Sequence, residues 1–171
     1  VASAAGADVL VRDGSLATDR ATVAQVCLDV VSKYADIEQF CCLYPTAVLV
    51  RPETLQASFV QFQQSPMTDY LMGVSEYVHP PMQALVTNQA GFLEYLWPEY
   101  RGVQSQFFPA TVVSNGTFYW ARVAAFLRDK TFYGQRLQGF VVPESEVCDL
   151  NTPADFVQLQ ARFQALYPVV A

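Results

Sequence analysis

The spacing of apolar positions changes along the chain and predicts alternating helices and strands. Apolar residues at intervals of three and four predict a helix over residues 22–34. Residues 40–44 form a short apolar run without helical spacing, which is typical of a strand buried on both faces. Pro45 follows and ends the strand, because proline has no N–H to donate in a hydrogen bond to a neighbouring strand. We therefore expect residues 40–44 to be the central strand of a sheet.

The remaining apolar segments continue this alternation. The final helix has the clearest local signals, because Thr152 suits the N-cap, Pro153 the first helical position and Asp155 a capping box. The pattern predicts further helices at residues 52–63 and 121–128, and further strands at residues 8–12, 70–75, 116–120, 139–142 and 147–151. Strands that alternate with helices predict an α/β fold with a mostly parallel sheet.

Residues 77–113 have neither helical nor strand periodicity. This segment is rich in aromatic residues and proline and poor in charges. Long aromatic loops of this kind are functional or form interfaces more often than they are idle. We expect one domain over residues 1–171, with residues 77–113 as an excursion from it.

Composition narrows the class of protein. The chain has 171 residues, of which 52% are hydrophobic and 15% charged, so we expect some apolar surface to be covered by a partner or by a missing segment. The net charge of −6 argues against a general nucleic-acid binder. No apolar run reaches the roughly 18 residues of a membrane span, and no signal peptide opens the sequence. Four cysteines without CxxC spacing indicate free thiols in a reducing cytoplasm rather than disulfides or zinc.

The common catalytic motifs are absent from the sequence, but one polar pair could carry chemistry. There is no GxSxG, P-loop, GxGxxG or HExxH motif, and His79 is the single histidine. Asp149 and Asn151 would point to the same side of an extended strand and could hold a magnesium ion on nucleotide phosphates. The alternative is that Asp149 is a turn residue and that Asn151 merely precedes the Thr152 cap.

Four arginines lie near the predicted element ends, and their role stays open at this point. Bidentate donors at such places could bind phosphates or carboxylates, or they could be solvated without a ligand. They are Arg12, Arg51, Arg101 and Arg122.

The order of several motifs resembles the acylneuraminate cytidylyltransferases, and within them most closely the branch that activates pseudaminic acid. Residues 40–47 read FCCLYPTA and are similar to that family's VCCIYATAP strand. Residues 72–77 and 80–83, MGVSEY and PPMQ, resemble its SVTE and PIQR segments. SQ at residues 105–106, FYW at 118–120 and VCDLNTPADF at 147–156 follow in the same order.

The resemblance implies a Rossmann-like nucleotide-diphospho-sugar transferase fold, with a mostly parallel sheet and helices on both faces. It implies attack of a sugar's anomeric hydroxyl on the α-phosphate of CTP, with Mg²⁺ assistance and release of pyrophosphate. The partners would be CTP and a nine-carbon acidic sugar of the pseudaminic or sialic acid type. The excursion would pack a homodimer and reach the partner's sugar site. No residue is identified as the catalytic group, and the implied site residues are Arg12 and Thr46 for the nucleotide, Tyr44, Gln83 and Gln106 for the sugar, and Asp149 and Asn151 for the metal.

Several departures from the family lead us to expect impaired activity. The family's N-terminal strand and its ARGGSKRIPRKN loop have no counterpart here, so we expect an N-terminally truncated domain. Four positions that are charged in the family are uncharged here, and a site that works by electrostatics would need those charges. They are Ala84, Gln104, Phe107 and Asn151. Three hypotheses follow: an enzyme whose loop is supplied elsewhere, a non-catalytic remnant or assembly module, or a different nucleotide-sugar enzyme that uses Asp149. Whether this chain alone is an enzyme stays open.

Overall fold

In the computed structural model, which describes residues 1–168, helices and strands alternate as the sequence predicts. The strands are β1 (Gln39–Leu43), β2 (Tyr70–Glu76), β3 (Leu85–Thr87), β4 (Leu93–Tyr95), β5 (Val112–Arg122) and β6 (Leu137–Val141). The α-helices are α1 (Val23–Val31), α2 (Pro52–Gln64), α3 (Val123–Asp129) and α4 (Pro153–Leu166). The predicted α/β class is confirmed.

Four strands form a mixed sheet in the order β1-β5-β2-β6. β5 runs antiparallel to both β1 and β2, and β6 runs parallel to β2. The prediction of a mostly parallel sheet is therefore wrong in its pairings, because two of these three ladders are antiparallel. β1, β2 and β6 do point the same way, and β5 is inserted between the first two. The prediction that residues 40–44 form the central strand is also wrong, since β1 is an edge strand of the described sheet.

Helices cover both faces of this sheet. On one face α1 and α3 pack over β2 and β5, with Tyr70, Tyr119 and Phe126 buried among them. On the other face α2 packs through Phe62 against Phe118. Burying the two faces under separate helices is the layered arrangement that an α/β sheet requires.

Local sequence signals account for the helix starts. Thr22 accepts a hydrogen bond from the Gln25 amide and forms a capping box at the start of α1. Thr152 and Asp155 form the predicted capping box of α4. Pro52 occupies the first turn of α2, where its missing N–H is not needed.

Two predicted strands are wrong. Residues 8–12 and 147–151 are extended or irregular segments without a ladder partner in the described chain. Short apolar runs need a neighbouring strand to become part of a sheet, and sequence alone does not reveal whether one is present.

The excursion connects β2 to β5 and carries a small antiparallel hairpin of β3 and β4. Its two ends are joined, since the Tyr77 amide donates to the Thr111 carbonyl at 3.2 Å. Many of its large apolar side chains are exposed, including Phe92 at 71% and Leu93 at 66%. The single domain over residues 1–171 stays a prediction, and its last three positions lie outside the described residues.

Candidate functional site

A cavity of about 510 Å³ with a mixed polar and apolar lining lies at the carboxyl end of β2. Its lining comes from β2, from β5, from the loop between α3 and β6, and from the irregular segment that follows β6. The lining residues are Ser75, Val113, Ser114, Asn115, Gly116, Tyr119, Tyr133, Val147 and Asp149. Among these described residues Asp149 alone carries a charge, so the cavity combines one carboxylate with hydroxyl, amide and aromatic groups.

A bulge in β5 shapes one wall of the cavity. The ladder between β2 and β5 pairs Met72 with Tyr119 and Val74 with Ser114, so extra residues of β5 lie opposite Gly73. Gly116, inside this bulge, has φ +66°, a left-handed conformation that favours glycine. The Asn-Gly pair in an otherwise strand-like segment was the available sequence signal for this bulge.

Three side chains form a hydrogen-bonded chain from the bulge to the cavity. Asn115 Oδ1 accepts from the Thr117 amide at 3.3 Å and from Thr117 Oγ1 at 2.7 Å. Asn115 Nδ2 donates to Ser75 Oγ at 3.2 Å. Thr117 is buried, while Asn115 and Ser75 are half-buried. The candidate site residues predicted from sequence did not include any of these three.

The rings of two tyrosines pack against each other near the same wall, with their planes tilted by 44°. The rings of Tyr44 and Tyr119 have centroids 5.6 Å apart, and the hydroxyls of Tyr119 and Ser114 are 2.8 Å apart. The Tyr44 ring also lies next to Gly116. Burial raises the pKa of both Tyr44 and Tyr119 above the usual value of 10, so the two phenols stay neutral at physiological pH.

The predicted metal pair is brought together, but not as a strand face. Asn151 Nδ2 donates to Asp149 Oδ2 at 2.7 Å, and both residues lie in an irregular segment. The backbone N–H of Asn151 also donates a hydrogen bond to Asp155 Oδ2 at 3.0 Å. Within residues 1–168 no group of three or more histidine, cysteine or acidic side chains is arranged to hold a metal ion.

This donor set nevertheless fits Mg²⁺ in the way that nucleotide-dependent sites use it. Mg²⁺ prefers oxygen ligands and commonly takes one or two from the protein, with phosphates and water completing six. The Asp149 carboxylate and the Asn151 amide oxygen can supply two once the Asn151 side chain turns over. A fully protein-made cage is not required for this ion.

The other predicted site residues are not among the described residues that line the cavity. Arg12 lies in the exposed N-terminal segment, and Thr46 is half-buried in the turn after β1. Gln83 and Gln106 are exposed in short turns of the excursion, where Gln106 Nε2 donates to Gln104 Oε1 at 2.6 Å. Of the nucleotide and sugar residues, Tyr44 is the one that lies beside Gly116 of the cavity lining in the described chain.

A larger cavity of about 570 Å³ lies at the opposite end of β2 and is structural in character. Its arginines are engaged by carboxylates, since Arg128 and Arg136 both bind the buried Asp69 within 3.1 Å. Tyr70 fixes the neighbouring Asp129 through a 2.9 Å hydrogen bond. This cluster therefore holds the starts of β2 and β6 in place rather than offering free donors to a ligand.

Comparison with known proteins confirms the predicted resemblance. The chain is 26% identical over 149 residues to a pseudaminic acid cytidylyltransferase of Campylobacter jejuni serotype O:2. The aligned region covers 85% of this chain and 64% of that protein. It is 23% identical over 154 residues to an N-acylneuraminate cytidylyltransferase of Streptococcus agalactiae serotype V, covering 90% of this chain and 37% of that protein. The chain thus spans less than two thirds of the length of these curated relatives. No family model matches it.

Proposed function

We propose that this chain carries the core of a cytidylyltransferase that joins CMP from CTP to a nonulosonic acid of the pseudaminic or sialic acid type. Its relatives bear the names of enzymes for these two sugar classes. The observation that carries the proposal is the contact between Asp149 and Asn151 at the rim of this cavity, at the carboxyl end of a strand. Open α/β sheets place their ligands at such strand ends.

The proposed reaction needs positioning more than it needs a reactive side chain. The anomeric hydroxyl oxygen of the sugar forms a bond to the α-phosphorus of CTP and its proton passes to water. The bond from that phosphorus to the bridging oxygen breaks, and pyrophosphate leaves with the electron pair. Mg²⁺, when bound, neutralises charge that develops on the phosphate oxygens. Asp149 and Asn151 would hold that ion, and the neutral phenol of Tyr44 lies near the space where the sugar would bind.

The remaining residue roles are parts of the same proposal. Arg12 and Thr46 would contact the nucleotide, and Gln83 and Gln106 would contact the sugar. The exposure of Arg12, Gln83 and Gln106 leaves their side chains accessible to a ligand or to a second subunit. A cytoplasmic location is also proposed, supported by four cysteines that are free in the described structure. Within residues 1–168 no helix has both the length and the apolar character needed to cross a membrane.

A non-catalytic assembly module is the second candidate, and two observations favour it. Among the described residues that line the cavity there is no cationic side chain to offset a triphosphate. The excursion, by contrast, exposes Phe92, Leu93 and Trp97, which suits a protein interface. In both candidates we propose that the excursion forms a homodimer.

The two candidates are separated by calorimetric titration of the chain with CTP and Mg²⁺. We expect a dissociation constant below about 1 mM, the upper end of usual substrate constants, and loss of binding in Asp149→Ala. Asp36→Ala, which removes an exposed carboxylate outside the cavity lining, is the matched control. Absence of CTP binding in the wild type would support the assembly module. Tighter binding of a nucleoside-diphosphate sugar than of CTP would instead support a different nucleotide-sugar enzyme.

A further inference from the structure

We propose that Ser75 contacts the ligand: its hydroxyl donates a hydrogen bond to an uncharged oxygen of an acidic sugar in the Asp149 cavity, and Asn115 and Thr117 position it. The inference rests on the proposed function for the identity of the sugar. It adds a specificity-determining residue and two positioning residues to that site.

The orientation of the Asn115 amide follows from the backbone. The Thr117 N–H can only donate, so the Asn115 atom that it contacts at 3.3 Å must be the carbonyl oxygen. The Thr117 hydroxyl binds the same oxygen at 2.7 Å. The NH₂ group of Asn115 is then the atom that faces Ser75.

This orientation decides what Ser75 can do. Its oxygen already accepts from Asn115 Nδ2 at 3.2 Å, so the hydroxyl hydrogen must point to another acceptor. Within residues 1–168 no protein atom takes that hydrogen bond, and Ser75 lines the cavity. The hydroxyl is thus free to donate into this cavity, which is one of two that Ser75 borders.

The charge of the cavity selects the kind of acceptor. Asp149 is the one charged group among the described lining residues, and an acidic ligand group beside it would be repelled without a cation. Hydroxyl or acetamido oxygens carry no net charge, so they accept hydrogen bonds without being repelled by Asp149. Tyr119 and Tyr133 add aromatic surface against which the C–H groups of a sugar can pack. The cavity therefore suits the uncharged part of an acidic sugar rather than its carboxylate.

This arrangement of Thr117 and Asn115 requires glycine at position 73. A Cβ atom at this position would collide with Thr117 Oγ1 and would lie 3.0 Å from Asn115 Oδ1. The absence of a side chain at Gly73 allows Thr117 to hold Asn115 from behind. The three polar groups and the glycine thus form one unit that ends at the Ser75 hydroxyl.

Titration with N-acetylneuraminic acid tests the role of Ser75. We expect Ser75→Ala to weaken binding by about 3- to 10-fold, the effect of one lost neutral hydrogen bond. Ser145→Ala, which removes an exposed hydroxyl outside the cavity lining, should bind as the wild type does. Equal affinity of Ser75→Ala and wild type would overturn the contact.

The positioning role has its own readout in the side-chain NH₂ signals of Asn115 in a ¹⁵N NMR spectrum. Thr117→Val keeps the shape but removes the hydroxyl, so these signals should shift and sugar affinity should fall. Thr117→Ser keeps the hydroxyl and should restore both. Unmoved Asn115 signals in Thr117→Val would overturn the positioning role, and Ser75→Ala still tests the contact if that variant fails to fold.

Failure of this inference is distinguishable from failure of the proposed function. Sugar binding that depends on Ser75 without any CTP binding would refute the cytidylyltransferase and leave the inference standing. If the chain binds CTP, and the sugar binds equally well to Ser75→Ala and to the wild type, the inference alone is refuted. A wild-type chain that binds neither CTP nor N-acetylneuraminic acid would overturn both.

Discussion

Glu146 binds the start of α2 through Arg51 by two hydrogen bonds. Its carboxylate accepts from the Arg51 backbone N–H at 3.0 Å and from Arg51 Nε at 2.6 Å. Glu146 is 2% exposed, while the Arg51 side chain is half exposed. Because Asp149 follows three residues later, this pair anchors the segment that carries the proposed metal ligand to α2.

We expect Glu146→Gln to lower stability and to flatten its acid dependence. Burial alone would raise the Glu146 pKa, but the bonds from Arg51 and Thr54 outweigh it and hold the pKa below the usual 4.5. The carboxylate therefore stabilises the fold fully above that value, and this stabilisation is lost as pH falls through the lower folded-state pKa. Urea unfolding of both proteins between about pH 7 and pH 3 measures the effect.

At neutral pH the variant should lose about 1–3 kcal/mol, the range for hydrogen bonds to a charged group. Its stability should then fall less steeply than that of the wild type on acidification. An unchanged slope in the variant would show that Glu146 is not a group whose protonation destabilises the protein.

A methyl group at Gly73 should destabilise the chain through Thr117. The new Cβ would collide with Thr117 Oγ1, and overpacking of this kind costs about 1–3 kcal/mol. Gly14→Ala is the control, because a Cβ there meets open space. In urea unfolding, Gly73→Ala combined with Thr117→Ala should cost less than the sum of the two single changes. Strict additivity would contradict the collision.

Removing the charge of Asp69 should cost far more than removing that of Asp29. Asp69 is 5% exposed and binds Arg128 and Arg136, so Asp69→Asn leaves two guanidinium groups with a poorer partner. We expect a loss of about 2–4 kcal/mol. Asp29 pairs with Lys33 on the surface, and Asp29→Asn should change the free energy of unfolding by less than about 1 kcal/mol. Similar losses in the two variants would contradict a structural role for the Asp69 cluster.

Asn151→Asp should make the chain responsive to Mg²⁺. The change replaces the hydrogen bond from Asn151 to Asp149 by two neighbouring carboxylates, which repel each other until a cation binds. We expect Mg²⁺ to raise the thermal midpoint of this variant by about 2–4 °C more than that of the wild type, or about 1 kcal/mol. Asn88→Asp, in the excursion, keeps an acceptor for the Ala90 and Phe92 amides and serves as the control. No difference between the two variants would argue against a metal at Asp149.

Leu93→Glu should weaken the proposed homodimer. Leu93 lies on β4 with 66% of its surface exposed, so a charge there would be buried if the hairpin packed against a second copy. Light scattering coupled to size exclusion should give a dimer mass for the wild type and a monomer mass for this variant. Gln89→Glu adds the same charge in the hairpin turn and should remain dimeric. A monomeric wild type would refute the homodimer itself.

The parts of the fold that depend on neighbours in sequence could be predicted, and those that depend on distant pairing could not. The capping box of Thr152 and Asp155 is local and is present as predicted. The position of residues 40–44 was mispredicted because their ladder partner is β5, far along the chain and antiparallel. Whether an apolar run lies at the centre or the edge of a sheet is decided by such pairings and not by its own residues.

The same limit applies to the candidate site. The proximity of Asp149 and Asn151 follows from their spacing, and the structure retains it in a different local geometry. Ser75 and Asn115 meet only because β2 and β5 are adjacent, with a bulge between them. The Asn-Gly pair hinted at the bulge, but no sequence pattern identified the strand opposite it.

The joined ends of the excursion leave its length and sequence free to differ without disturbing β2 and β5. Glu76 pairs with Val112, and the Tyr77 backbone N–H donates to the Thr111 carbonyl. The pairing of β2 with β5 is therefore complete at the point where the excursion begins. The entropy of closing such a loop changes slowly with its length, and a longer, shorter or unrelated segment would fit between the same two residues. Replacing this segment would therefore change the proposed subunit contacts, together with the proposed sugar contacts of Gln83 and Gln106, while the groups around Asp149 keep their places.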